Sequence, residues 1–120
     1  MDNMFIRTLQ NKDHSRPPVW YMRQAGRILP SYNELRKQYS FRELMTTPEL
    51  AAKVTLLPVE DLGVDAAIIF SDILTIPTAM GMEIEWTDKG PVFHNPLIDA
   101  PNPHKSLSPD SDKLSFVYKA

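Results

Sequence analysis

The chain has 120 residues, 13 Lys plus Arg against 15 Asp plus Glu, and a formal net charge of −2. That length supports one domain at most, and 42 % hydrophobic with 23 % charged residues is a globular mixture, neither disordered nor fibrous. The near-neutral balance gives no bulk attraction to nucleic acid or anionic lipid, no apolar run reaches the roughly 20 residues of a membrane span, and Cys 0 excludes disulfides, thiolate metal sites and cysteine nucleophiles. The start, Met1-Asp2-Asn3-Met4-Phe5-Ile6-Arg7, lacks the basic and long apolar stretches of a signal peptide, and its mixed charge argues against a transit peptide. The expected location is the cytoplasm.

Asp2 or Asn3 can cap a first short helix on which Phe5 and Leu9 share a face. Arg16-Pro17-Pro18 breaks the pattern, and Val19-Trp20-Tyr21-Met22 then reads as a buried strand. Ser31-Tyr32-Asn33-Glu34 has the spacing of a capping box, predicting a helix from near Tyr32 to about Tyr39. Ser40-Phe41-Arg42-Glu43 is a second box. Thr47-Pro48-Glu49 supplies an N-cap, a proline at the first helical position and an acid in the first turn. Leu50, Val54 and Leu57 follow at helical spacing, Gly63 is the expected stop, and Pro58 should kink or shorten the helix.

Residues 64–70 are apolar at every position from Ala66 to Phe70, which predicts a strand covered on both faces, as in a parallel sheet. Met82, Ile84 and Trp86 alternate with Glu83 and Glu85, a half-exposed strand. A turn over Thr87-Asp88-Lys89-Gly90 lets Val92-Phe93 pair back as a hairpin. Five of the 11 prolines fall after position 90, so this stretch reads as a long irregular connection. Leu114, Val117 and Tyr118 then open a last helical face, and the chain stops without a C-cap, as a truncated one would. Strands alternating with helices predict an α/β fold with parallel strands, and two such strands do not close a sheet alone.

In α/β sheets and barrels, ligands bind at the C-terminal ends of the strands. Two places qualify. The first is Arg23-Gln24-Ala25-Gly26-Arg27, with two guanidinium forks four residues apart and small residues between them. On a helix both arginines would share a face and, with nearby amides, form a receptor for carboxylates or phosphates. Surface arginines pairing with Glu34 would explain the same spacing. The second place is Asp72, at the end of an apolar run, where a carboxylate needs donors from a ligand, an arginine or a helix it caps. Capping a helix from Ile73 is the competing role.

Other residues say less. His14, His94 and His104 lie in loops without metal-ligand spacing, so no metal site is expected. Glu83 and Glu85 share a strand face open to solvent, Trp20 and Trp86 are packing residues, and no GxGxxG, Walker A or GxSxG motif occurs.

Arg16-Pro17-Pro18-Val19-Trp20-Tyr21-Met22-Arg23-Gln24-Ala25-Gly26-Arg27, followed by Leu29-Pro30, closely resembles the amino-terminal signature of the uroporphyrinogen decarboxylase family. Gly63-Val64-Asp65-Ala66-Ala67-Ile68-Ile69-Phe70-Ser71-Asp72-Ile73-Leu74 resembles that family's second hallmark, and Thr47-Pro48-Glu49-Leu50-Ala51 and Ala79-Met80-Gly81-Met82 match in order. Ile28 stands where an aromatic is usual and Ser31 where an acid is common. The resemblance implies a (β/α)₈ TIM barrel, of which residues 1–120 are the first, truncated part of a single domain, acting as a homodimer when complete.

It further implies decarboxylation of the four acetate side chains of uroporphyrinogen III to coproporphyrinogen III, with neither metal nor organic cofactor. Arg23 and Arg27 match the family's active-site arginines, which hold substrate carboxylates, with Gln24, Ala25 and Gly26 in the same substrate-binding loop. Arg36 matches a third basic contact, and Asp72 the central aspartate that accepts from the pyrrole N–H groups of the tetrapyrrole. The apolar stretch from Ile68 to Phe70 would lower the dielectric beneath it. The family's downstream tyrosine, hydroxyl residue and histidine have no counterpart here. Two other readings are a non-catalytic fragment retaining part of the substrate-binding surface, and a related zinc-using corrinoid methyltransferase.

Overall fold

A computed structural model of the chain describes residues 3–12, 15–22, 25–87 and 89–120. They fall into two compact units, Met1–Phe70 and Ser71–Ala120.

In the first unit, Asn3 caps α1 (Met4–Leu9), its Oδ1 accepting from the Phe5 N–H at 2.8 Å. The second helix, α2 (Pro30–Gln38), begins earlier than its sequence suggests. The Ser31–Glu34 box does not form. Pro30 opens the helix with its φ already preset, and the Ser31 hydroxyl donates to Asp61 instead. At α3 (Phe41–Thr46) the box is complete: Ser40 Oγ accepts from the Glu43 N–H at 3.1 Å, and Glu43 accepts from the Ser40 N–H at 2.8 Å. Those two groups of Ser40 hold the Glu43 carboxyl below the usual carboxylate range, its backbone N–H contributing most.

Pro48 starts α4 (Pro48–Leu62), and Gly63 ends it at φ 66°, a left-handed conformation that costs glycine little. The helix is not shortened at Pro58. That ring is fully buried, and its packing offsets the hydrogen bond it cannot make. Both α2 and α3 pack on α4. Tyr32 and Leu35, Leu44 and Met45, and Ala51, Val54 and Leu57 form the core between them. Phe70 closes it, its ring centroid 5.9 Å from that of Tyr32 and 5.7 Å from that of Phe41. The Phe70 N–H donates to Thr55 Oγ1 at 2.8 Å, and that hydroxyl donates to the Ala51 carbonyl at 2.7 Å. The end of the 64–70 segment is thereby tied to α4.

Neither expected parallel strand forms a ladder. Residues 19–22 and 64–70 are irregular backbone, with Met22 78 % and Ile68 58 % exposed. Ala67 is exposed too, so the expectation of two covered faces also fails within this chain. An apolar run becomes a strand only where neighbours satisfy its N–H and C=O groups. Among the described residues the sheet is the antiparallel pair of the second unit, and the architecture is mixed helix and strand.

That second unit starts with α5 (Thr75–Ala79) and continues into a hairpin of β1 (Ile84–Thr87) and β2 (Gly90–Phe93). Ile84 faces Phe93 and Trp86 faces Pro91, the pairing that the alternation predicts. Gly90, at φ 120°, leaves the turn where a side chain would strain, and the Thr87 hydroxyl donates to its carbonyl at 2.7 Å. The proline-rich stretch holds three short 3₁₀ turns, and the Ser108 N–H ties it to the Met80 carbonyl at 2.9 Å. The final helix, α6 (Ser115–Lys119), carries Val117 and Tyr118 as expected. Among the described residues no helix is long and apolar enough to cross a membrane.

Candidate functional site

Arg23 and Gln24 lie outside the described residues. The rest of that loop is a turn and not a helix, with the Leu29 N–H closing back on the Gly26 carbonyl at 2.9 Å. The expected helical face shared by two arginines is therefore not how residues 25–28 are built. Ala25 and Gly26 are half-buried and Arg27 is exposed. The Arg27 carbonyl accepts from Asn33 Nδ2 at 3.0 Å, which anchors the loop to the first turn of α2. No hydrogen-bond partner holds the Arg27 guanidinium among the described residues, and Glu34 pairs with Lys37 at 2.6 Å.

Tyr32 connects Arg27 to Arg36. Burial pushes its phenol above the usual tyrosine range, while the positive charges of Arg36 and then Arg27 pull it back. Both guanidinium groups are therefore within electrostatic range of one hydroxyl, and both side chains reach solvent. Arg36 also donates to the Tyr39 carbonyl at 2.8 Å, serving the open end of α2. Arg27 and Arg36 are thus two exposed permanent cations felt by one buried phenol, and each guanidinium fork suits a carboxylate.

Asp72 belongs to the other unit, and the expected helix from Ile73 does not form. Instead α5 starts at Thr75 with Leu74 as its N-cap and no side-chain cap, and Asp72 makes an Asx turn ahead of it. Its Oδ1 accepts from the Leu74 N–H at 2.8 Å, its carbonyl from the Thr75 N–H at 3.0 Å, and its own N–H reaches Thr75 Oγ1 at 3.4 Å. The side chain is half-buried and only one carboxylate oxygen is engaged, so among the described residues Oδ2 remains open as an acceptor. Of the apolar stretch before it, Phe70 is buried and Ile68 is exposed.

The sequence reading missed Asp65. Its carboxylate takes a two-pronged bond from Arg16, Nη1 to Oδ2 at 2.6 Å and Nη2 to Oδ1 at 3.0 Å. It also accepts from the Val19 N–H at 2.7 Å, while the Asp65 N–H returns to the Val19 carbonyl at 2.9 Å. These bonds, that of Arg16 first, hold the Asp65 carboxyl below the usual range, and Arg16 is raised in turn. One signal was present in the sequence: after Arg16, two prolines carry no N–H, so Val19 is the first backbone donor and needs an acceptor. Of the histidines, His94 pairs with Glu85 at 2.8 Å on the exposed hairpin.

The chain matches the model of the family described as uroporphyrinogen decarboxylase over residues 1–120. It is 48 % identical over 121 residues to the uroporphyrinogen decarboxylase of Chloroherpeton thalassium, covering 99 % of this chain and 34 % of that protein. Similarity to the uroporphyrinogen decarboxylase of Methylococcus capsulatus is 49 % over 120 residues, covering 98 % of this chain and 34 % of the relative. For that of Trichlorobacter lovleyi it is 50 % over 121 residues, covering 100 % and 35 %. The chain thus spans about a third of the length of the curated relatives it matches.

Proposed function

Because the chain belongs to the uroporphyrinogen decarboxylase family, we propose that it is the amino-terminal portion of an enzyme that removes carbon dioxide from the four acetate groups of uroporphyrinogen III, giving coproporphyrinogen III. The family match over residues 1–120 carries this reading. In the complete enzyme, residues 19–22 and 64–70 become parallel strands of one (β/α)₈ barrel domain, finding there the neighbours that cover Met22 and Ile68. The enzyme works as a cytoplasmic homodimer.

The chemistry of the residues supports the assignment. The substrate carries eight carboxylates around a ring of pyrrole N–H donors. Arg23 and Arg27, in a loop with Gln24, Ala25 and Gly26, and Arg36 on α2 hold carboxylates. Among the described residues the guanidinium of Arg27 is unengaged while that of Arg36 donates to the Tyr39 carbonyl. Asp72 receives the pyrrole N–H groups through the oxygen that the Leu74 N–H leaves open. A proton added at a ring carbon makes a cation. The bond to the carboxylate then breaks, its electron pair flows into that cation and carbon dioxide leaves. The exocyclic methylene so formed takes a proton to become the methyl as the ring carbon gives its own back, a net uptake of one proton per acetate. A fixed carboxylate facing the ring stabilises the cation as it forms. The proposed route calls for no metal or organic cofactor.

The direct experiment is incubation of the full-length protein with uroporphyrinogen III and chromatography of the products. Stepwise loss of four carboxylates is expected, and an unchanged substrate would defeat the reading. Arg27→Ala should raise KM about tenfold, the scale of one lost charged hydrogen bond. Arg27→Lys should recover only part of this, because the planar fork is gone.

A further inference from the structure

The Arg16–Asp65 pair has no part in the chemistry above, yet it joins the two segments from which that chemistry projects. We propose that Asp65, clamped by Arg16, is a positioning residue for the carboxylate-binding loop at residues 23–27, setting the register from which this loop departs. The inference rests on the decarboxylase reading and deepens it.

Register is the issue because residues 16–19 have few ways to fix it. Pro17 and Pro18 offer no backbone donors, so a conventional ladder cannot start there. Val19 supplies the first N–H, and it goes to a side chain, Asp65 Oδ2 at 2.7 Å, while its carbonyl accepts from the Asp65 N–H at 2.9 Å. This reciprocal exchange is one rung of a ladder with a carboxylate in place of a carbonyl. It sets residue 19 opposite residue 65. A slip by one residue would turn every following side chain to the other face.

A carboxylate can serve as a rung only if its own orientation is fixed, and Arg16 fixes it. The guanidinium engages both oxygens, and Nη1 also donates to the Pro17 carbonyl at 3.0 Å. The planar fork thus holds the plane of the Asp65 carboxylate and leaves Oδ2 aimed at Val19. Exposure points the same way. The Asp65 side chain is 13 % exposed against 48 % for Arg16, so the acceptor is enclosed while only the outer part of its partner meets solvent. An ordinary surface pair has neither three donors on one carboxylate nor this asymmetry.

Both ends of the clamp lead to arginines. The loop begins four residues beyond Val19. In the other direction, the chain from Asp65 reaches Phe70, which is held by Thr55 and packs on Tyr32, the phenol that feels both Arg27 and Arg36. Loss of the clamp frees one end of this span while the other stays anchored. The predicted consequence is misplacement of the cationic loop, felt first in substrate binding.

The test is initial-rate kinetics of the full-length enzyme with uroporphyrinogen III, comparing wild type, Asp65→Asn and Arg16→Lys, each with its melting temperature. Asn keeps the size but loses the charge and one acceptor; Lys keeps the charge but loses the fork. For Asp65→Asn, kcat/KM should fall roughly 10- to 100-fold, mostly as higher KM, with Arg16→Lys between it and wild type. A merely structural pair would lower the melting temperature and the active fraction and leave KM alone. KM within about twofold of wild type in both variants overturns the proposal. Should Asp65→Asn fail to fold, the KM of Arg16→Lys decides by the same criterion. An inactive wild type would defeat the decarboxylase reading and this one with it, whereas an active wild type with unmoved KM defeats only the clamp.

Discussion

The two units hold themselves together by different means. In Met1–Phe70, three helices bury a continuous set of apolar side chains, from Leu29 and Tyr32 through Leu44 and Val54 to Phe70. In Ser71–Ala120, the buried side chains among the described residues are those of Thr75 and Ala79, and local hydrogen bonds shape the rest: an Asx turn at Asp72, a hairpin, three 3₁₀ turns. Packing is sensitive to lost volume, whereas turns are sensitive to lost acceptors. Stability and function should therefore separate at Asp72 in the second unit, while lost volume in the first should register as lost stability.

Asp72→Asn is the most powerful probe of that separation. Asn keeps the oxygen that accepts from the Leu74 N–H and forms Asx turns as Asp does, so the melting temperature should hold. If Asp72 faces the substrate cation as proposed, that charge is lost and kcat should drop about 10²–10³-fold with little change in KM. Near-normal kcat in a folded protein would reduce Asp72 to a turn residue.

Volume probes the other side. Leu44→Ala, at a fully buried position of α3, should cost about 2–5 kcal/mol. Ile98→Ala, 89 % exposed in the second unit, should stay within about 0.5 kcal/mol. Equal losses on denaturant titration would break the contrast between the units.

Two serines sharpen it within the first unit. Ser40→Ala removes a complete capping box and should cost about 1 kcal/mol. Ser31→Ala removes only an exposed bond to Asp61 and should fall within about 0.5 kcal/mol, although the sequence spells a box at both places.

The pH profile gives the smallest signal. Asp65 and Glu43 are held below the ordinary carboxylate range, so the unfolded chain takes up protons first as pH falls. Their stabilisation is complete above about pH 5 and is lost progressively below the unfolded pKa values near 4. Tyr32 is raised, so its contribution is complete below about pH 10 and fades as pH climbs through its folded value. Melting temperatures across pH should fall at both edges, and Asp65→Asn should flatten the acid limb.

What the sequence determined by itself is what a few adjacent residues can decide. Asn3 beside α1, Ser40 with Glu43, Pro48 and Gly63 at the two ends of α4, and the alternation around Trp86 each satisfy their own backbone groups within a short span, and all are found. The family was legible too, because the block from Arg16 to Arg27 concentrates charge, proline and small residues in an order few folds would use. Tertiary structure alone decided the rest. Ser31 had two possible partners, and proximity to Asp61 selected one. Residues 19–22 and 64–70 are apolar enough for strands, but a strand's hydrogen bonds are owed to other chain segments, and no local pattern supplies them. Arg16 and Asp65 are 49 residues apart, so their bond exists only once the fold has brought them together. Helix caps and hairpins close over a handful of residues; ladders and ion pairs between distant segments have to wait for the chain to return on itself.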